Sequence, residues 1–465
     1  MSEQEFIAFT EAFVADTRDL VFVRPEDGVL ILRPNRVQYL NATAAEMLAA
    51  LYAPDADVAE TLEALTRRYD VPRETLIADL DRLLRTLRTL LSSEPGETPA
   101  VKLTEFGTHR RRYPVISEIA LTYRCQNRCF FCYANAPERG SPAAEMSTEE
   151  VKRVIDKIID QARVPMLSFT GGEPTLRRDL PDLIAHAVAR GLRTNLITNG
   201  IRCADPVYAA RLAEAGLHSA QVSLEAGDAT THNAVVGNPG AFEKTLAAVS
   251  VLSQAGIHTH TNTTVNRRNL TALPGLIDRL AEMGQTYLSM NMLIRTGGSV
   301  GVPDLSYTEI GEIVLRLKRH AEARGLRFVW YSPVPYCLFN TVAHGLGAKS
   351  CAAADGLLSI APDGEVLPCS SFEHGIGNLL HEDFESIWNR RAARYWRNKA
   401  FLPPGCRDCE HADLCCGACP LYWDEQGTFE ELEAVGVHNT AARRWLWKLK
   451  RRYLGRVQGV GVKTT

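Results

Sequence analysis

The sequence predicts an α/β protein built on six βα repeats, with a small winged-helix-like unit before them and a cysteine-rich segment after. Three observations predict it. Between Ile116 and about Leu293, strand-like runs near 116–122, 166–170, 193–198, 219–225, 257–265 and 286–293 alternate with helical patterns. Such repeats imply a parallel sheet with right-handed crossovers. Upstream, three strand-like runs are followed by three helical patterns within residues 19–91. Downstream, Cys406, Cys409, Cys415 and Cys419 read CxxCx5CxxxC.

Composition limits the function classes. The 465 residues leave room for three domains. A hydrophobic share of 45% and a charged share of 23% suit a soluble globular chain. A formal net charge of −3 gives no global electrostatic case for nucleic acid. No apolar run reaches the ~18 residues of a membrane span. The start, Met1-Ser2-Glu3-Gln4-Glu5, is acidic and lacks the basic-then-apolar order of a signal peptide. Twelve cysteines then point to metal sites in a reducing compartment, the cytoplasm, rather than to disulfides.

Residues 1–91 read as the first domain. A docking helix over 5–17 has Phe6, Phe9 and Phe13 on one side. Asp19–Val23, Gly28–Leu32 and Val37–Leu40 read as strands, with Pro34-Asn35 as a turn. Thr43 and Glu46 form a capping box opening a helix with Met47, Leu48 and Leu51. A second helix carries Val58, Leu62 and Leu65. A third carries Leu76, Ile77, Leu80, Leu83, Leu84, Leu87 and Leu91 at spacings of three and four. A DNA-binding winged helix needs a basic recognition helix; here Arg73, Arg82, Arg85 and Arg88 are offset by Glu74, Asp79 and Asp81. Residues 92–114 form a linker, with Ser92–Ala100 linker-like in composition and His109-Arg110-Arg111-Arg112 a solvated basic turn.

Residues 115–333 hold the βα repeats. Ser147 and Glu150 form a capping box before Val151, Val154, Ile155, Ile158 and Ile159, and a helix with Leu180, Leu183, Ile184, Ala187 and Val188 stops at Gly191. A cysteine loop follows strand one, Gly171-Gly172-Glu173-Pro174 strand two, and Thr198-Asn199-Gly200 strand three. Those are the C-terminal strand ends, where parallel barrels place their chemistry. Gly171 and Gly172 let the backbone approach a ligand closely. Asn262, Thr264, Asn266, Asn291 and Arg295 at later strand ends could reach a cofactor or substrate. Residues 305–333 add a helix with Ile310, Ile313, Val314 and Leu317, then an apolar strand, Leu326–Tyr331, at the barrel edge.

The chemistry starts at Thr122–Cys132, where Cys125, Cys129 and Cys132 read CxxxCxxC and Phe131 precedes the last. Three thiolates on a short loop can hold three irons of a [4Fe–4S] cube and leave the fourth open. Zinc would usually take a fourth Cys or His nearby, and none lies in the next 25 residues. Three reduced thiols are the bland alternative.

By these residues the chain resembles the radical S-adenosylmethionine (radical SAM) superfamily, over roughly residues 115–300. The resemblance implies a partial (β/α)6 barrel. It implies that Gly171, Gly172, Glu173 and Pro174 form the segment receiving the amino group of the methionine moiety. Ser223 and Glu225 sit where the family places its ribose contacts, although Asp is commoner at the Glu225 position. Phe131 and Asn199 are further expected cofactor contacts. The implied activity is reductive cleavage of S-adenosylmethionine at a cluster on Cys125, Cys129 and Cys132. This yields a 5′-deoxyadenosyl radical that abstracts hydrogen, with a flavodoxin- or ferredoxin-type protein as reductant.

Residues 334–430 resemble the SPASM domain. Cys351, twelve residues, Gly364, four residues and Cys369 precede the CxxCx5CxxxC run. The resemblance implies two auxiliary clusters, with Cys351, Cys369 and Cys419 on the first and Cys406, Cys409 and Cys415 on the second. A four-thiolate zinc ribbon is the alternative. The family's last cysteine, some eighteen residues beyond the position of Cys419, has no counterpart here, and His438 lies at nineteen. Imidazole can replace thiolate on iron; Asp424 and Glu425 are other candidates, and an open or absent second cluster is the remaining option. Cys337 is expected to complete the first cluster, with hydrogen-atom donor or substrate anchor as its other roles. Cys416 reads as a bystander and Cys203 as a buried thiol. The expected cofactors are S-adenosylmethionine, one [4Fe–4S] cluster that binds it, and one or two auxiliary [4Fe–4S] clusters. Residues 431–465 contain a basic amphipathic helix, Arg443–Tyr453, packed on the body; an acidic peptide or a membrane surface are its alternatives.

Gln38–Thr43 and the leucine-rich helix after it resemble the peptide-chaperone domain of pyrroloquinoline quinone biosynthesis, the PqqD-like or RiPP recognition element. That implies a partner: a precursor peptide whose leader adds as a strand to a sheet edge. The expected function is a peptide-modifying radical SAM maturase. A small-molecule or tetrapyrrole substrate is the second enzyme reading. A winged-helix regulator with an iron–sulfur sensor is the third, and it would need no S-adenosylmethionine pocket.

Overall fold

The chain divides at Val115 into two units, Met1–Val115 and Ile116–Thr465. The computed structural model describes residues 2–33, 36–92, 111–139 and 145–458. The expected Pro34-Asn35 turn, most of the 92–114 linker and His109-Arg110 lie outside those residues.

In the first unit, the Ser2 hydroxyl accepts the Glu5 N–H and the Glu5 carboxylate accepts the Ser2 N–H at 2.6 Å. This reciprocal cap starts the helix Glu3–Thr17. Its Phe6 and Val14 enter a core with Leu30, Leu48, Leu62, Leu80 and Leu84. Strands β1 (Val21–Arg24), β2 (Val29–Leu32) and β3 (Arg36–Tyr39) form an antiparallel meander in that order. β2 is buried throughout, while β3 is exposed at both ends. Helices Ala42–Leu51, Val58–Tyr69 and Arg73–Leu91 complete the unit. The first of these is capped by Asn41, whose side-chain oxygen accepts the Ala44 N–H at 2.7 Å, and not by the expected Thr43–Glu46 box. Thr43 already lies inside the helix, and Glu46 instead pairs with Arg68 at 2.9 Å and accepts from the Tyr69 hydroxyl. On the third helix Arg85 pairs with Asp81, and Arg73 reaches Glu3.

The second unit is built on one sheet. Its strands are β4 (Ile116–Thr122), β5 (Met166–Gly171), β6 (Arg193–Thr198), β7 (Ser219–Ser223), β8 (His258–Val265), β9 (Tyr287–Met292), β10 (Arg327–Trp330), β11 (Leu357–Ile360), β12 (Glu365–Leu367) and β13 (Gly377–Asn378). Among the described residues their order is β10-β9-β8-β7-β6-β5-β4-β11-β12-β13. β4 to β10 are parallel neighbours, the arrangement that βα repeats produce. Helix Thr148–Asp160 opens on the expected Ser147–Glu150 box and buries Val151, Val154, Ile155 and Ile158 against the sheet side. β10 extends one edge, as expected. The other edge was not foreseen: β11 pairs parallel with β4, and the Ser359 hydroxyl donates to Glu118 across that pair at 2.7 Å.

The tail helix spans Ala441–Gln458. Its Trp447 is buried, packs edge-on to Phe429 with centroids 4.9 Å apart, and donates its indole N–H to the Phe401 carbonyl. Arg443 pairs with Asp408 at 2.9 Å. Among the described residues no helix is long and apolar enough to cross a membrane.

Candidate active site and metal centres

Cys125, Cys129 and Cys132 lie on the loop leaving β4, and glycines from other loops hold that loop. The Gly172 N–H donates to the Thr122 carbonyl at 2.7 Å and the Glu173 N–H to the Arg124 carbonyl at 2.9 Å. A Cβ on Gly171 would stand 2.1 Å from the Thr122 carbonyl oxygen, and one on Gly172 2.5 Å from that of Arg124. The two glycines therefore serve loop-on-loop packing first, a different reason from the ligand clearance expected of them. Gly237 and Gly297 press on the same loop, at 2.6 Å from the Arg128 oxygen and 2.4 Å from the Cys132 oxygen by the same measure.

Donors reach the sulfurs. The Asn127 N–H points to Cys125 Sγ at 3.4 Å, the Ala136 N–H to Cys132 Sγ at 3.4 Å, and the Asn199 amide to Cys125 Sγ at 3.9 Å. Burial nonetheless pushes the Cys125 thiol up to about 12 and Cys129 well above its ordinary value. Thiols so buried ionise against a bound cation rather than against water.

A cavity of about 300 Å³ opens over the loop. Cys125, Cys129, Phe131, Cys132, Gly171, Gly172, Asn199, Ser223 and Glu225 line it. Glu173 and Pro174 do not. Glu173 is fully buried and accepts from the Thr175 N–H and hydroxyl, the Thr198 hydroxyl at 2.8 Å and the Asn199 N–H at 2.8 Å. It staples the end of β5 to the end of β6, so its part in the site is to place Asn199. Burial raises its pKa, and those donors lower it. Glu225 accepts the Thr264 N–H at 2.9 Å, and burial pushes it up to about 8.

Asn262, Thr264 and Asn291 line the cavity as the strand-end reading expected. Asn266 is buried and donates to the Thr264 carbonyl; Arg295 donates to the Asp304 and Leu305 carbonyls and lies over the Tyr422 ring. Glu118, Tyr133, Ser370 and Ser371 are among the lining residues that were not anticipated. Glu118 carries a signal, a carboxylate in the middle of the apolar strand Ile116–Thr122. Burial raises its pKa.

All twelve cysteines are free. Those of the C-terminal third fall into two groups. Cys369 is raised by burial and then by the charges of Cys351 and Cys419; Cys419 is pushed to about 12 by burial and then by Cys351. Cys406 is pushed to about 12 by burial and then by Cys415, Cys337 and Cys409. Cys337, expected with the first group, lies within electrostatic reach of Cys406, Cys409 and Cys415. The Tyr336 N–H donates to Cys415 Sγ at 3.3 Å, which fixes that turn beside the second group. Cys416 is buried, with Cys351 and Cys415 both acting on it. Cys203 is fully buried, as expected. The His438 side chain is exposed, and Glu425 accepts the Gly301 N–H. Among the described residues no three His, Cys, Asp or Glu gather tightly enough for a single metal ion. A four-iron cube takes each thiolate on a different iron, so its ligands surround a volume instead of meeting at a point.

Three family models match the chain in sequence order. Residues 28–90 match coenzyme PQQ synthesis protein D (PqqD), residues 119–278 the radical SAM superfamily, and residues 351–410 the iron-sulfur cluster-binding domain SPASM. The chain is a radical SAM enzyme of the SPASM type with a PqqD-like domain ahead of its barrel. S-adenosylmethionine and [4Fe–4S] clusters are the cofactors of those domains, and the thiol-lined cavity, with amides aimed at sulfur, fits them. An AdoMet-dependent heme synthase of Nitratidesulfovibrio vulgaris is 29% identical over 314 residues, 64% of this chain and 85% of the relative. A PqqA peptide cyclase of Granulibacter bethesdensis is 29% identical over 311 residues, 64% and 80%. The structure of Streptococcus suis SuiB bound to precursor peptide SuiA superposes with a TM-score of 0.63 at 16% identity, covering 87% of this chain and 95% of that one. That likeness is one of fold.

Proposed function

We propose that this enzyme modifies a ribosomally made precursor peptide, captured by its N-terminal unit. The observation that carries the reading is the PqqD-like segment with its open strand. Among the described residues β3 pairs with β2 alone. Strand alternation turns the Val37 N–H and carbonyl outward, because the Leu40 N–H donates inward to the Gly28 carbonyl. An extended leader can meet that row of backbone groups, while pockets beside the strand choose the partner. The peptide cyclase relatives and the SuiB complex support the same reading. The heme synthase relatives support a second one, a tetrapyrrole substrate, for which a peptide-reading domain has no use.

Within this reading Cys125, Cys129 and Cys132 hold the core cluster. Gly171, Gly172, Phe131, Asn199, Ser223 and Glu225 receive S-adenosylmethionine. Cys351, Cys369 and Cys419 hold the first auxiliary cluster. When bound, the cofactors supply a carbon radical that removes a hydrogen atom from the substrate. The protein's own residues orient the cofactor and shield the cavity. A flavodoxin- or ferredoxin-type protein supplies electrons, and twelve free thiols suit the cytoplasm.

The test is fluorescence anisotropy with a labelled short peptide encoded beside the gene, with and without its leader. Val37→Pro removes an outward donor and leaves the β2 ladder intact. One hydrogen bond contributes about 0.5–1.5 kcal/mol, so leader-dependent binding should weaken roughly two- to tenfold. Equal binding of full and leaderless peptides by both proteins would move the tetrapyrrole reading ahead.

A further inference from the structure

We propose that Cys337 is the fourth thiolate of the second auxiliary cluster, in place of the C-terminal cysteine that the chain lacks. The proposal rests on the presence of SPASM clusters and adds a ligand that the domain's cysteine run does not contain.

The turn holding Cys337 is fixed on the second group from both sides. The Tyr336 N–H is spent on Cys415 Sγ at 3.3 Å, one residue before Cys337. The Leu338 and Phe339 N–H groups both donate to the Pro335 carbonyl at 2.9 Å, which closes the turn around Cys337. Val334 is buried and Phe339 packs under Gly311, so both flanks are anchored in the body of the unit. Cys409 and Cys415 lie within electrostatic reach of Cys337, and Cys337 within reach of Cys406. Cys337 and Cys409 are the exposed members, so the group opens to solvent on one side.

His438, the other candidate, is committed differently. Its segment caps the turn at 404–406: the Gly405 N–H donates to the Asn439 side-chain oxygen at 2.6 Å, and the His438 carbonyl lies against Gly405. Its side chain is exposed. A thiolate also keeps the cluster all-sulfur, whereas imidazole would raise its potential.

The experiment uses the full chain with Cys125, Cys129 and Cys132 changed to Ala, so that all iron measured is auxiliary. Anaerobically reconstituted protein is assayed for iron and by electron paramagnetic resonance, oxidised and reduced. Adding Cys337→Ser should remove about one iron per chain, the iron that the thiolate held, and leave a three-iron signal in the oxidised protein. Cys415→Ser should change the same signal, Cys369→Ser a different one, and His438→Ala neither. Alkylation by iodoacetamide with peptide mapping checks the exposed thiol directly. Cys337 should be protected in the iron-loaded protein and modified once iron is chelated. An iron count and spectrum insensitive to Cys337→Ser, a change in the signal that Cys369→Ser alters, or alkylation of Cys337 in the loaded protein would overturn the proposal. Absence of iron from the triple-alanine background would instead overturn the cluster reading itself, and this ligand with it.

Discussion

The two cysteine regions are built in opposite ways. The core loop draws its three thiols from eight consecutive residues, Cys125–Cys132, and is clamped by glycines of other loops at less than side-chain distance. The second group proposed for auxiliary iron, Cys406, Cys409 and Cys415 with Cys337, spans residues 337 to 415 and is partly exposed. The first site depends on backbone fit, so its weak points are glycines as much as cysteines. The second depends on distant segments finding each other, so its weak points are the contacts that hold Tyr336 to Cys415.

The comparison predicts graded effects. The largest is the loss of core chemistry. With Cys125, Cys129 and Cys132 all changed to Ala, 5′-deoxyadenosine release under dithionite should fall to background, while auxiliary iron persists. Undiminished release would refute the site. Next, Gly172→Ala puts a methyl 2.5 Å from the Arg124 oxygen. The loop must shift, at a cost on the order of 3 kcal/mol. Core iron should fall without any cysteine being touched, and a full core complement would show that the loop is not clamped as described.

A smaller effect concerns pH. Glu225 has its folded pKa raised from 4.5 to about 8 by burial, so the folded, cofactor-free protein binds its proton more tightly than the unfolded chain does. Its contribution to stability is full below about pH 4.5 and is lost as pH rises toward 8. Glu225→Gln should flatten that slope in denaturant titrations of the apoprotein; an unchanged slope would remove Glu225 as its source. The smallest effect tests the tail. Arg443 pairs with Asp408, next to Cys409, at an exposed site. Arg443→Ala should change stability by no more than about 0.5 kcal/mol and leave auxiliary iron intact. Iron loss there would tie the tail helix to the second group.

The sequence was most informative where the determining pattern is local. Strands β4 to β9 and the Ser147–Glu150 cap follow from periodicity and capping within a few residues. The cavity residues on strand ends were legible because topology puts consecutive strand ends on one rim. Features set by distant contacts escaped, as did one helix cap. Asn41 outcompetes Thr43 as a cap because its amide oxygen sits at the helix boundary itself, and two polar residues two positions apart read alike in sequence. Gly237 and Gly297 clamp the core loop from far along the chain, and a glycine does not announce which carbonyl it makes room for. Cys337 precedes the first group along the chain, while the N–H of its neighbour Tyr336 donates to Cys415 of the second. Glu118 was visible as a carboxylate in an apolar strand but was not weighed.

The pairing of β4 with β11 has a consequence for biosynthesis. Ser359 and Glu118, bonded across that pair, are 241 positions apart. At about 5–20 residues per second, the ribosome leaves the outer edge of β4 open for roughly 10–50 s after it is made. An open strand edge recruits other chains. The half of the enzyme that carries the core loop is therefore the half most exposed to aggregation before synthesis ends. A chain stopped near residue 333 would keep that edge for good, so a barrel expressed alone should collect in the insoluble fraction.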